Sequence, residues 1–218
     1  MGSASQRLIK RAEQYERSTT GIGLDSIKKM ECDDGVVTDI FECLRSEEPK
    51  DVHWGLWFCR GLMESGKLPR HALSELLGRF PLLVGHADSE VRGALIGCLV
   101  LARTDLPLYR EWLIQLLRDE APSVRSEALG RCETFLKKGE VEPLLSFEKD
   151  SYLAEVSMYG PVQYVLRNAA LTKIESLLGR QFPKHELTEA INGEVVFWWD
   201  WKPFREWWGR QKRKWRFW

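Results

Sequence analysis

The sequence lacks the long apolar segments that mark secreted and membrane-spanning proteins. Its longest apolar stretch, residues 94–102, has nine residues, whereas a helix that crosses ~30 Å of hydrocarbon needs about 20. The N-terminus carries no apolar stretch of the kind found in secretory signals. Five cysteines occur without a CxxC pair. We therefore predict a cytoplasmic chain with reduced cysteines and no transmembrane segment.

The sequence also lacks the motifs that carry common catalytic chemistry. No GxSxG surrounds a serine, and no cysteine lies in a recognisable nucleophile context. Gly61-x4-Gly66-Lys67 resembles part of a phosphate-binding loop, but Leu68 stands where that loop needs a serine or threonine for Mg²⁺. The histidines have no metal-ligand spacing: His53, His71, His86 and His185. We predict a protein that is not an enzyme and that holds no metal and no cofactor.

Charge and tryptophan are distributed unevenly along a chain that is neutral overall. The 218 residues include 32 Lys and Arg and 32 Asp and Glu. Residues 200–218 hold seven Lys and Arg against two acidic residues, so this segment alone carries a charge of +5. Seven of the ten tryptophans lie between Trp198 and Trp218. The length and a hydrophobic fraction of 44% favour one folded domain or a short repeat array over a disordered chain.

A helical pattern recurs four times along the chain. In each copy a valine is followed by an apolar or small residue at an offset of four and by another at seven or eight. The four copies start at Val52, Val91, Val124 and Val162. These offsets place the three side chains on one face of a helix. An amphipathic segment precedes each copy, which predicts a series of helical hairpins.

The pattern divides the chain into three parts. We predict an N-terminal helical segment over residues 1–34, helical repeats over 35–180 and a Trp-rich basic cap over 181–218. The predicted hairpins are 35–65, 67–104, 105–138 and 139–180. The sequence indicates a strand only at residues 194–198. In the cap, four aromatic residues recur on one helical face, as expected of a helix that covers the apolar end of a stack: Phe204, Trp208, Trp215 and Trp218.

Two of the copies resemble HEAT repeats. The strings Asp88-Ser-Glu-Val91-Arg92 and Asp119-Glu-Ala-Pro-Ser-Val124-Arg125 match the start of that family's second helix. Leu178-Gly179 followed by Trp207-Trp208 is similar to the end of many bacterial members. The resemblance implies an all-α fold, a right-handed α-α superhelix of about four hairpins with capping helices at both ends.

The resemblance also implies roles for the Asp and Arg residues of these strings. In the family, each guanidinium contacts an aspartate of a neighbouring repeat, forming a structural ladder. The candidates here are Asp88, Arg92, Asp119 and Arg125. The alternative is that Arg92 and Arg125 line a groove that binds phosphate.

The concave face of such a stack is the predicted partner-binding site. If the second helices line it, offsets of two and six from each valine point into the groove. The predicted contacts at these offsets are Trp54, Phe58, Tyr164 and Asn168, with Glu127 and Arg131 added as polar contacts of the groove. Exposed aromatic residues often mark interaction sites. The alternative is that the N-terminal segment and the insert at 146–160 cover them.

We therefore predict a non-enzymatic scaffold that binds a protein partner, with an inhibitory, immunity or adaptor role suggested by analogy alone. The alternative is a nucleic-acid-binding protein similar to HEAT-like DNA glycosylases, with the basic tail as a further contact. The tail contacts would be Arg210, Lys212, Arg213, Lys214 and Arg216. The same tail suits a membrane-surface helix or a simple cap. A chromophore lyase or chaperone, a further HEAT-like class, has no residue in its favour.

Overall fold

The computed structural model describes residues 2–15, 23–103, 107–150, 152–156, 162–191 and 194–215. The fold class is all-α, as predicted. Helices carry most of the described residues, and the strands among them form two short hairpins. The chain divides into two compact units, Met1–Ala128 (unit 1) and Leu129–Trp218 (unit 2).

Unit 1 is built from helices joined by short turns. They are α1 (Ala4–Glu13), α2 (Leu24–Lys29), α3 (Asp34–Leu44), α4 (Pro49–Glu64), α5 (Arg70–Val84), α6 (Ser89–Arg103), α7 (Pro107–Leu116) and α8 (Pro122–Gly130), whose last two residues belong to unit 2. Three of these helices begin with proline, which fits the first turn because its missing N–H is not needed there.

The predicted apolar stripes form the core of unit 1. Leu56 and Cys59 of α4 are completely buried, and so are Leu95 and Cys98 of α6. Each fully buried leucine contributes about 1.5–3 kcal/mol relative to an exposed one. The hairpins are therefore held together by the same residues that reveal them in the sequence.

The first 30 residues add a further helical pair in front of the first predicted hairpin. Helix α1 packs on α3, and α2 packs on α4. Helix α2 has only six residues, too few to be stable alone. The Lys67 ammonium donates hydrogen bonds to the carbonyl oxygens of Lys28, Lys29 and Met30 at 2.8, 3.1 and 3.1 Å. It thereby caps the C-terminal end of α2.

Unit 2 combines helices with two antiparallel hairpins. Its elements are 3-10 segments at Cys132–Thr134 and Glu142–Lys149, β1 (Leu153–Val156), β2 (Val162–Val165), α9 (Leu166–Leu178), β3 (Glu186–Ile191), β4 (Glu194–Trp199) and α10 (Lys202–Trp215). Leu153 pairs with Val165 in the first hairpin, and Glu186 pairs with Trp199 in the second.

The expected strand at 194–198 is present as β4, but β1, β2 and β3 correct the sequence prediction. The stripe that starts at Val162 is not a helix from its first residue, because Val162–Val165 is a strand and α9 begins at Leu166. Valine and tyrosine favour extended backbone when a partner strand is available. The insert supplies that partner as β1.

An aromatic cluster forms part of the core of unit 2. Trp201, just before α10, and Phe204 within it retain 3% and 1% of their accessible surface. The Phe204 ring packs edge-on against Phe182 and Trp201, with centroid separations of 5.4 and 5.8 Å. Such aromatic pairs stabilise beyond the area that they bury. Phe204, on the apolar face of α10, is therefore packed inside its own unit.

Candidate functional site

Helices α4 and α6 lie side by side and run in the same direction. His53 Nδ1 of α4 lies 3.3 Å from the carbonyl oxygen of Glu90, at the start of α6. Two turns later the Arg60 Cδ atom lies 2.6 Å from the position that a Cβ of Gly97 would occupy. Both contacts join residues 37 positions apart in the sequence. The two helices are therefore parallel. The same separation of 37 residues places Gly93 level with the helical turn of α4 between Trp54 and Trp57.

An aromatic cluster lies on the surface of α4 in this region. The Trp57 ring is nearly parallel to His53, with centroids 6.5 Å apart and an interplanar angle of 12°. Trp54 meets His53 edge-on at 6.4 Å, and the Arg60 guanidinium lies 5.2 Å from the Trp57 ring centroid. Trp54 and Trp57 are both half-buried. They therefore present apolar ring surface in a fixed geometry.

Charged neighbours hold this cluster in place. Arg60 Nε donates to Glu64 Oε1 at 3.0 Å, and Lys28 Nζ lies 2.8 Å from Glu64 Oε2. Burial alone would raise the pKa of Glu64, but the hydrogen bonds from Lys28 and Arg60 outweigh it and hold that pKa below its ordinary value. The Glu64 carboxylate therefore stays charged and keeps Arg60 over Trp57.

Gly93 leaves open space on α6 at the level of the two tryptophans. A Cβ placed on Gly93 would meet no atom of the described residues within 4 Å. We call the surface formed by Trp54, Trp57, Arg60 and Gly93 the Trp54–Trp57 face. It combines rigid aromatic rings, open space and a charged rim, as protein-binding sites commonly do.

The predicted groove residues do not all lie on this face. Trp54 does, but the expectation that Phe58 is exposed is corrected, because its side chain has no accessible surface. Helix α2 packs on α4 here, and Ile27 Cγ2 lies 2.5 Å from where a Cβ of Gly61 would be. Helix α2 of the N-terminal segment therefore covers the side of α4 that carries Gly61.

The other four predicted contacts lie beyond α4 and α6. Glu127 is a half-buried residue of α8, and Arg131 is a half-buried residue that follows it in unit 2. Asn168 is in α9, where its Oδ1 accepts a hydrogen bond from the Trp199 backbone N–H at 2.9 Å. Tyr164 lies in β2 opposite Ala154, so its predicted helical position is corrected. Arg131, Tyr164 and Asn168 belong to unit 2, whereas Trp54 and Glu127 belong to unit 1.

Sequence reasoning missed Trp57, although a signal for it existed. Trp57 follows Trp54 by three residues, and residues three apart are neighbours on a helix surface. The prediction considered offsets of two and six from Val52 and left out the offset of five, which points about 140° from the apolar stripe.

The ladder residues make one buried ion pair in unit 1. Arg92 Nε and Nη2 donate to the two Asp119 carboxylate oxygens at 2.8 and 2.7 Å. Arg92 Nη1 donates to the backbone carbonyls of His86 and Ala87. Arg125 Nη1 donates to the carbonyls of Asp119 and Glu120 at 2.9 Å each.

Asp88 also caps the N-terminus of α6, and Asp119 fixes the turn before α8. Asp88 Oδ1 accepts from the backbone N–H groups of Glu90 and Val91, and Asp119 Oδ1 accepts from that of Ala121. A cavity of about 370 Å³ lies beside Arg92. The Arg92 donors are already engaged, so this buried cation is not available to an anion in the cavity.

The predicted tail contacts belong to α10 or follow it. Arg210 is exposed on the helix. Lys212, Arg213 and Lys214 also lie within α10, but their side chains are outside the described part of the structure, and Arg216 is outside the described residues altogether.

Comparison with known protein families and with curated proteins finds no match to this chain. Within the described ranges, no group of three or more His, Cys, Asp and Glu side chains is arranged to hold a metal ion. No helix in that same part of the chain has the length and apolar character to cross a membrane. The function is therefore argued from the surfaces of the two units.

Proposed function

We propose that this chain is a HEAT-like helical repeat protein that acts without catalysis and binds a protein partner on the Trp54–Trp57 face. The observation that carries the proposal is the pair of partly exposed tryptophans beside the open position at Gly93. The Arg92–Asp119 pair supports the HEAT-like part, because it joins an arginine and an aspartate of consecutive predicted repeats.

The proposed mode of binding uses an apolar anchor. A partner's apolar side chain would enter the open space at Gly93 and pack against the rings of Trp54 and Trp57. Tryptophans that lose water on binding dominate the energetics of many interfaces. Since His53 and Arg60 already hold the Trp57 ring, little side-chain entropy is lost when the complex forms. An immunity or adaptor protein could act this way, by covering its partner's active surface.

The partner can be identified with a photo-crosslinking side chain placed at position 54 of the full-length protein. We expect a specific adduct from position 54 and none from position 82, because Leu82 is 74% exposed but lies on α5, outside the Trp54–Trp57 face. An equal yield of the same adduct from both positions would contradict the proposal.

The affinity test then uses matched variants of two glycines. Neither Gly93 nor Gly78 has an atom of the described structure within 4 Å of its Cβ position. Gly93→Leu fills the open space on α6, whereas Gly78→Leu adds the same side chain on α5. We expect at least a tenfold weaker Kd for Gly93→Leu and for Trp54→Ala, and less than a twofold change for Gly78→Leu. Unchanged affinity in Gly93→Leu would rule out this face.

The charges of the Trp54–Trp57 face do not favour the alternative function, nucleic-acid binding in a groove like that of the HEAT-like DNA glycosylases. Its cation, Arg60, is paired with Glu64, and the predicted groove contact of α8 in unit 1 is the acidic Glu127. Contacts to several phosphates require a surface of unpaired Lys and Arg. Nucleic-acid binding therefore has its support in unit 2 and not in unit 1.

A further inference from the structure

Unit 2 carries basic side chains stacked on aromatic rings. The Arg180 guanidinium lies 5.3 Å from the Trp207 ring centroid and 5.8 Å from that of Phe182. Arg180 is exposed and Trp207 is half-buried. Arg210 is exposed one helical turn after Trp207, and residues three apart are neighbours on a helix. We call these four residues the Arg180–Trp207 edge.

Two other cations of unit 2 are already paired. Lys184 lies 3.2 Å from the buried carboxylate of Glu175 and 3.9 Å from the Trp199 ring centroid. Arg205 pairs with Glu148 at 3.0 Å. Arg180 and Arg210 have no carboxylate partner among the described residues. They are therefore the two guanidinium groups best able to take an external anion.

We propose that the Arg180–Trp207 edge binds single-stranded nucleic acid, independently of the protein-binding function proposed for unit 1. A guanidinium stacked by its face keeps its in-plane N–H donors for phosphate oxygens. The partly exposed Trp207 ring offers stacking surface to an unpaired base. The charge of +5 over residues 200–218 draws a polyanion to this end of the chain.

The structure favours nucleic acid over an anionic membrane at this edge. A helix that lies on a bilayer inserts its apolar face, but Phe204 on that face of α10 is already packed inside unit 2. Phe204 retains 1% and Trp201 retains 3% of its surface. Membrane insertion would require this core to open, whereas phosphate contacts use side chains that are exposed already. Glu206 is exposed on the same helix but points about 100° away from Trp207.

The test is fluorescence anisotropy with the full-length protein and a labelled 20-nucleotide oligothymidine, at several salt concentrations from about 50 mM upward. We expect the double variant Arg180→Gln, Arg210→Gln to bind at least tenfold more weakly. The slope of log K against log salt should fall by about 1.4, since each single-strand phosphate contact contributes about 0.7. Trp207→Leu should weaken binding roughly fivefold or more through lost base stacking.

The matched control is Lys202→Gln. It removes the same charge from the same helix, but Lys202 is five residues before Trp207 and points about 140° away from it. We expect less than a twofold change in affinity. A duplex of the same length should bind more weakly than the single strand, because its bases are not free to stack. Circular dichroism checks that each variant is folded. If Trp207→Leu unfolds, Arg210→Gln alone still tests the proposal.

Three results would overturn the proposal. The first is no binding of the oligonucleotide at about 50 mM salt, with or without binding to phosphatidylserine vesicles. The second is an equal loss of affinity in Lys202→Gln and Arg210→Gln, which would indicate diffuse charge attraction. The third is a duplex that binds as tightly as the single strand and is insensitive to Trp207→Leu.

Discussion

At the scale of single residues, the Arg92–Asp119 pair is the strongest polar contact that joins two predicted repeats. Both side chains are less than one-tenth exposed, and the pairing is bidentate. Burial alone would raise the pKa of Asp119, but the hydrogen bonds from Arg92 and from the Ala121 backbone N–H outweigh it and hold that pKa below its ordinary value. Asp119 is therefore charged in the folded state at neutral pH.

We predict that Asp119→Asn lowers the free energy of unfolding by about 3 kcal/mol at neutral pH, because it leaves the buried Arg92 charge without its partner. Since the folded-state pKa is depressed, the wild-type contribution is complete above the unfolded pKa of about 4. It is lost as the pH falls through the folded value. Urea unfolding of both proteins from about pH 7 down to about pH 3 measures this difference.

A neighbouring carboxylate provides the control for Asp119. Glu120 lies 3.5 Å from the same arginine, but its side chain is 89% exposed. Glu120→Gln should therefore change stability by less than about 0.5 kcal/mol. Equal losses in the two variants, or a difference from wild type that grows as the pH falls, would contradict the assignment.

At the scale of helices, close packing of α2 on α4 depends on the absence of a side chain at Gly61. A Cβ at this position would lie 2.5 Å from Ile27 Cγ2 and 2.9 Å from Ile27 Cβ. Ile27 is completely buried and branched at Cβ, so it cannot rotate away freely. A larger residue at position 61 must therefore move α2.

We predict that Gly61→Ala destabilises the protein by about 1–3 kcal/mol, as overpacking of a filled core does. Hydrogen exchange of residues 24–30 should accelerate more than that of α6. Gly78→Ala, in an open position of α5, should instead stabilise by roughly 0.5–1 kcal/mol through helix propensity. Destabilisation of similar size in both variants would show that the loss at position 61 does not depend on contact with α2.

The helices of unit 1 could be predicted because each buries a stripe of its own residues. The stripe at Val91, Leu95 and Cys98 is visible in the sequence and completely buried in the structure. Phe58 was misplaced because its burial depends on packing that the pattern within α4 does not record. The strand Val162–Val165 was missed for the same reason, since its partner strand lies in the insert. Local periodicity predicts helices and strands, whereas the burial of a given side chain also depends on its neighbours in the tertiary fold.

At the scale of the whole molecule, the pKa values of the cysteine thiols indicate how well each unit excludes solvent. Burial, and then the nearby charges of Asp51 and Asp39, raise the pKa of Cys43 to about 12. Burial likewise raises the pKa of Cys132 in unit 2 to about 12. At about pH 8, roughly one such thiol in ten thousand is ionised, and the thiolate is the reactive form. Cys32 is half-buried, and burial followed by Asp33 raises its pKa as well.

We predict that iodoacetamide at about pH 8 modifies Cys32 of the native protein first, with the other four cysteines following only as the units open. Peptide mass spectrometry measures each rate. In concentrated guanidinium chloride all five should react at similar rates, which provides the reference. Native-state alkylation of Cys43 or Cys132 as fast as that of Cys32 would show that the corresponding unit is open to solvent.

The contact between Ile27 and Gly61 bears on how the protein could be shortened for laboratory use. Deletion of residues 1–30 would uncover the apolar surface of α4 on which α2 packs, on the same helix that carries Trp54 and Trp57. Such a fragment should self-associate through this apolar surface. Binding assays made with it would therefore report nonspecific binding. Fusion proteins made from this chain should therefore retain α1 and α2.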